Sequence, residues 1–270
     1  MQRLDRLENQ SIYLIREAYR YFKPISILWS LGKDSNVMLW LMKKAFCGRI
    51  PFPAVHIDTG KKFKEMYEFR SKFSKAMKLD LRLEKCPPIN KIDKSLPPAA
   101  RSAARKTEGL KAYIKTNKIK GVFAGIRRDE QSTRAKERMI SPRSANSEWN
   151  FKDQPIEVWD YYINQMPADC HVRVHPLLNW TEVDVWEYTK RESIPVINLY
   201  FSKKGKRYRS LGDQDITFPV KSDAKNISEI IKELKTTKIS ERSGRSMDHE
   251  TEDAFERLRS SGYLYRNHHD

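Results

Sequence analysis

Apolar side chains recur at Leu4, Leu7, Ile12, Leu14, Ile15 and Ala18 with Arg and Glu between them, which predicts an amphipathic helix stopped by Pro24. ISILW (25–29) is β-branched and apolar enough for a buried parallel strand. The stretch 36–46 is apolar on nearly every face, an interior helix with Met38 and Met42 as core filler. PAVHI (53–57) predicts a second strand, 61–78 a second amphipathic helix and LDLRLEK (79–85) a third strand. A proline-rich connection (87–98) then leads to a helix over 99–117 and a fourth strand, GVFAG (121–125). Strands alternating with helices of this length predict an α/β fold, a doubly wound, mostly parallel sheet with right-handed crossovers.

The pattern changes after residue 140. SPRSANSEWNFKDQP (141–155) is polar and turn-rich and reads as loop. HVRVH alternates as a strand, with His171 and His175 as surface or strand-end histidines rather than a metal pair. Thr181 predicts a helix N-cap, with Asp184 as an imperfect capping-box acid, and Trp180 and Trp186 belong to the core. From about residue 202, basic text alternates with one helix over 226–235. The expected organisation is a nucleotide-binding α/β domain over 1–200 and a C-terminal, partly mobile tail or lid over 201–270.

Composition narrows the class. No stretch approaches the ~20 apolar residues of a membrane span, and the charged N-terminus lacks an apolar signal region. Cys47, Cys86 and Cys170 are few and scattered, a usage that fits a reducing cytoplasm. The net charge of +17 is spread along the chain. It fits a solvated surface or an affinity for polyanions, an acidic protein or nucleic acid.

The chemistry concentrates where predicted strands end. Ser30-Leu31-Gly32-Lys33-Asp34-Ser35 joins the first strand to its helix, where backbone N–H groups make an anion seat. Gly32 permits close backbone approach, Ser30 and Ser35 add donors, and Lys33 adds a full charge. Asp34 suits a loop cap or a ligand to a divalent cation bridging phosphates. Taken alone, the hexapeptide reads equally as an ordinary turn capped by Ser35, and it is not a Walker A loop. The second strand ends in Asp58-Thr59-Gly60, where Asp58 suits ribose hydroxyls and Gly60 lets a base lie on the backbone. After Gly125 come Arg127, Arg128, Arg134, Lys136 and Arg138, either a solvated helix face or a cationic clamp for oxyanions.

SLGKDS, HIDTG and TEGLK…GVFAGIRRDEQSTRAKER together resemble the small, catalytic subunit of bacterial ATP sulfurylase. That family sits in the PP-loop, or adenine nucleotide α-hydrolase-like, superfamily. PFPAVHIDTGKKFKEMYEFR, HPLLNWTEVDVWEY and TTKISERSGRSMD extend the resemblance over roughly residues 5 to 260. It implies cleavage of ATP between the α and β phosphates by sulfate, giving adenylyl sulfate and pyrophosphate. Lys33, Asp34, Arg127 and Arg128 would be catalytic, with magnesium arriving with ATP and contacted by Asp34. Ser30, Leu31, Gly32 and Ser35 would hold phosphates, Ile57 and Thr59 would adjoin adenine, and Gly125, Arg134 and Lys136 would complete the site. A separate GTPase subunit would drive the reaction. The chain departs from the family in YRSLGDQDITFPV, where Asp213 replaces a cysteine, and in its C-terminal segment. No cysteine follows Cys170, which excludes a thiol-dependent adenylylsulfate reductase. The alternatives are a PP-loop enzyme acting on RNA or DNA, or a non-catalytic nucleotide-binding module. Neither added nucleic-acid-binding domains nor paired cysteines favour the former.

Overall fold

A computed structural model of the protein describes residues 2–144, 147–150, 152, 154–157, 170–237 and 241. The first helix, α1 (Arg3–Tyr21), buries Leu7, Leu14, Ile15 and Ala18 on one stripe. β1 (Ile25–Leu28) runs beneath it into α2 (Lys33–Ala45), whose Val37, Met38, Leu39, Leu41 and Met42 are inaccessible to solvent. Burial on several faces makes α2 an interior helix. Its start lies three residues earlier than hydrophobicity suggested, because Lys33, Asp34 and Ser35 form the first turn. β2 (Ala54–Asp58), α3 (Lys64–Ala76), β3 (Leu81–Lys85), α4 (Pro98–Thr116) and β4 (Gly121–Phe123) follow as expected, with boundaries shifted by a few residues.

A short helix, α5 (Ser132–Ala135), follows β4, and two strands complete the main sheet, β5 (Ile140–Arg143) and β6 (His171–Val174). The six strands among the described residues lie in the order β3-β2-β1-β4-β6-β5. All neighbours are parallel except β5, which runs antiparallel to β6 with Ser141 opposite Arg173. The chain leaves β1 towards β2 and β3 and later returns to the other side with β4. That reversal opens a crevice at the carboxyl ends of β1 and β4, the position where such sheets bind ligands. β5 corrects the reading of 141–155 as loop. Pro142 disguised it, but a proline is compatible with an edge strand.

The second half caps this crevice. α6 (Glu182–Arg191) starts with a complete capping box, since the Asp184 N–H donates to Thr181 Oγ1 and Asp184 accepts from the Thr181 N–H. Arg3 grips the same carboxylate through two 2.8 Å bonds, tying the first turn of α1 to α6. Trp180 and Trp186 are core residues, edge-on to Tyr188 and Tyr200. The described part of the expected tail is packed. β7 (Lys206–Arg207) pairs antiparallel with β8 (Val220–Lys221). α7 (Ile227–Thr236), capped by Asn226, buries Ile230 and Leu234. Most of 238–270 lies outside the described residues, and with it the expectation of mobility there. No helix among the described residues is long and apolar enough to cross a membrane.

His171 and His175 sit at the ends of β6 as expected, but both are buried rather than on the surface. Burial lowers His171 to a pKa of about 3 and His175 to about 4, and it lowers His56, bonded to the Trp29 carbonyl, to about 4. These histidines are neutral in the fold and protonate near 6.5 once unfolded. Their contribution to stability is complete above pH 6.5 and falls as pH drops below it, by about 1.4 kcal/mol per unit for each. Urea midpoints should therefore fall markedly between pH 7.5 and 5, and a His171→Leu, His175→Leu double variant should show a flatter decline.

Candidate active site

The carboxyl ends of β1, β2 and β4 enclose a cleft of about 380 Å³. Ser30, Gly32, Lys33, Asp34, Ser35, Ile57, Gly125 and Arg134 line it, which brings together eight of the residues expected from sequence. The loop between β1 and α2 is held by its own hydroxyls. Ser35 Oγ donates to the Gly32 carbonyl at 2.9 Å, and Ser30 Oγ donates to Ser35 Oγ at 3.1 Å. The Lys33 N–H donates to the buried Tyr200 hydroxyl at 2.9 Å. The left-handed residue in this turn is Leu31, at φ 68° and fully buried, rather than Gly32. The close approach falls instead at Gly125. A Cβ there would stand 3.3 Å from the Ser35 nitrogen and 3.4 Å from the Asp34 carbonyl carbon. The β4 loop can thus lie directly against the start of α2.

Arg127 occupies a different place from the one its sequence position suggested. It is fully buried behind the loop, bonded to Asp34, to Asp129 at 2.9 Å and to Glu241. Burial alone would lower this guanidinium, but the facing carboxylates, led by Glu241, override that and hold it charged. Lys33 shares two of these partners, with its ammonium on Glu241 and 3.3 Å from Asp34. Burial would raise the Glu241 carboxyl, yet Arg127 and Lys33 keep it below the usual carboxylate range. Arg127 is therefore a structural tie among three carboxylates, not an open clamp. Asp34 lines the cleft with one oxygen beside Arg127 and the other facing Lys33. Among the described residues no group of three or more His, Cys, Asp or Glu could hold a metal ion.

The remaining expected residues lie off the cleft lining. Arg128 turns to Asn179. The Asp58 carboxylate accepts from the Gly60 N–H, the Tyr67 hydroxyl and Arg70, at 2.8 to 3.0 Å, and so caps its own turn, with Gly60 at φ 73°. Thr59 donates to Asp213, and the Lys136 carbonyl accepts from Gln154.

The cleft also contains residues that sequence reading passed over. Leu28, Val55, Ala103 and Leu110 join the expected Ile57 in an apolar slot between the sheet and α4. Lys62 and Lys106 stand on its rim, and Arg143 and Arg173 line the side formed by β5 and β6. Ala103, Lys106, Thr107 and Leu110 are spaced i, i+3, i+4, i+7, a helix face that was visible in the sequence. Asp213 is fully buried, and burial would raise its carboxyl, but Lys106 and Lys62 hold it well below the usual range.

A doubly wound sheet with a lysine-bearing loop at its switch point defines a nucleotide-binding α/β protein. The family model described as the phosphoadenosine phosphosulfate reductase domain matches residues 24–219. The chain is 37% identical to sulfate adenylyltransferase subunit 2 of Rhizobium johnstonii, covering 97% of this chain and 93% of that one. It is 38% identical to the protein of the same name from Sulfurimonas denitrificans, covering 97% of both. The chain thus belongs to the family of sulfate adenylyltransferase subunit 2. Among solved structures, the Candida glabrata FMN adenylyltransferase shares the fold, with TM-score 0.55 and 20% identity over 80% of this chain and 65% of that one.

Proposed function

We propose that this chain transfers the adenylyl group of ATP to sulfate, releasing pyrophosphate. The observation that carries the reading is the cleft at the β1–β4 switch point, with Lys33 and the backbone of 30–35 on one side and an apolar slot on the other. Adenine fits the slot beside Ile57, and the loop takes the outgoing diphosphate. A sulfate oxygen attacks the α phosphorus, the bond to the bridging oxygen breaks, and its electron pair leaves on pyrophosphate. Sulfate needs no general base, so the residues act by positioning and by neutralising charge. Lys33 exchanges the Glu241 carboxylate for phosphate oxygens, while Arg127 and Asp34 keep the loop and the β4 segment in register. Arg134 faces the cleft from the acceptor side.

ATP would enter as its magnesium complex, with Asp34 on the cleft wall as the residue that would contact the ion. A larger GTPase subunit in the cytoplasm supplies the drive for this uphill reaction. The name "subunit 2" carried by the relatives supports the existence of a partner subunit.

The test is exchange of labelled pyrophosphate into ATP, with sulfate, selenate, molybdate or chloride, and with and without the GTPase. Exchange that requires sulfate or selenate is expected. A chain that binds ATP but exchanges equally well without any oxyanion would transfer adenylate to another acceptor.

A further inference from the structure

The Asp213 carboxylate accepts three hydrogen bonds and pairs with a second ammonium. Thr59 Oγ1 donates at 2.8 Å, Lys62 Nζ at 2.7 Å and Ser102 Oγ completes the bonds, while Lys106 Nζ forms an ion pair at 2.9 Å. Two of these partners come from the segment after β2 and two from α4, and the carboxylate is inaccessible to solvent. Three hydrogen bonds and a second cation keep this buried carboxylate ionised. What it does is hold two ammonium groups together, and both line the cleft.

Their position selects the ligand group. α4 returns between two parallel strands, so its N-terminal end lies towards the strands' carboxyl ends. Lys106 is one turn closer to that end than Leu110, which walls the apolar slot. A nucleotide with its base in the slot and its diphosphate on the loop places its ribose and first phosphate at this rim.

We propose that Asp213 is a positioning residue which aims Lys62 and Lys106 at the α-phosphate of the bound nucleotide. This rests on the adenylyl-transfer reading and adds to it: the α-phosphoryl group, where the new bond forms, meets two point charges held on one carboxylate.

Calorimetric titration with adenosine and with AMP tests it, using the wild-type chain, Asp213→Asn, Lys62→Ala and Lys106→Ala, with unfolding midpoints measured alongside. The variants should bind adenosine as the wild type does and AMP at least tenfold more weakly. If Asp213→Asn does not fold, the two lysine variants carry the comparison. Variants that keep AMP affinity, or lose both ligands to the same degree, overturn the role of Asp213 alone. A wild-type chain that binds neither ligand overturns the nucleotide reading and this proposal with it.

Discussion

Arg127→Ala should lower stability by about 3–5 kcal/mol, seen as a large drop in the urea midpoint without a change of slope. The guanidinium is bonded to Asp34, Asp129 and Glu241. Removing it leaves three carboxylates facing one another, with Lys33 as the shared remaining cation beside Asp34 and Glu241. Asp129 also accepts the Glu182 N–H at 2.7 Å, so the loss reaches the first turn of α6. Arg127→Lys should recover part of the midpoint but not all, because one ammonium cannot reproduce the fork that meets three acids. A midpoint in Arg127→Ala within 1 kcal/mol of wild type would show that the acids find other partners.

Lys33→Ala should reduce sulfate-dependent exchange roughly 100- to 1,000-fold, about 3–4 kcal/mol of transition-state stabilisation. In the proposed reaction its ammonium is the cation that the loop itself brings to the leaving diphosphate. The fold should survive, because Glu241 keeps Arg127 and the bond from the residue 33 N–H to Tyr200 does not involve the side chain. Normal turnover in a folded Lys33→Ala chain would remove the loop from the chemistry.

Much of this architecture could be read from residue pattern alone, since α2, β2 and β4 are fixed by local apolar runs. The loop 30–35 and Gly125 were legible because each lies at the end of such a run. The long-range ties were not. Glu241 meets Lys33 across 208 residues and Arg127 across 114, and no local spacing announces either bond. The same holds for Asp213, whose partners Thr59, Lys62, Ser102 and Lys106 are spread over two distant segments. The arginines after Gly125 were read as one clamp because they adjoin in sequence. The fold separates them, sending Arg127 inward, Arg128 to Asn179 and Arg134 to the cleft. Asp58 has a local role that its position in the sequence did not announce, since its carboxylate accepts from Gly60, Tyr67 and Arg70.

The mixed sheet also constrains how this protein can meet another polypeptide. An incoming strand would find exposed Arg82 and Lys85 on β3 at one margin, and at the other β5, where Pro142 offers no amide hydrogen. Among the described residues, growth by strand addition is therefore discouraged on both flanks of the sheet, and contact with another chain would fall to helices and loops.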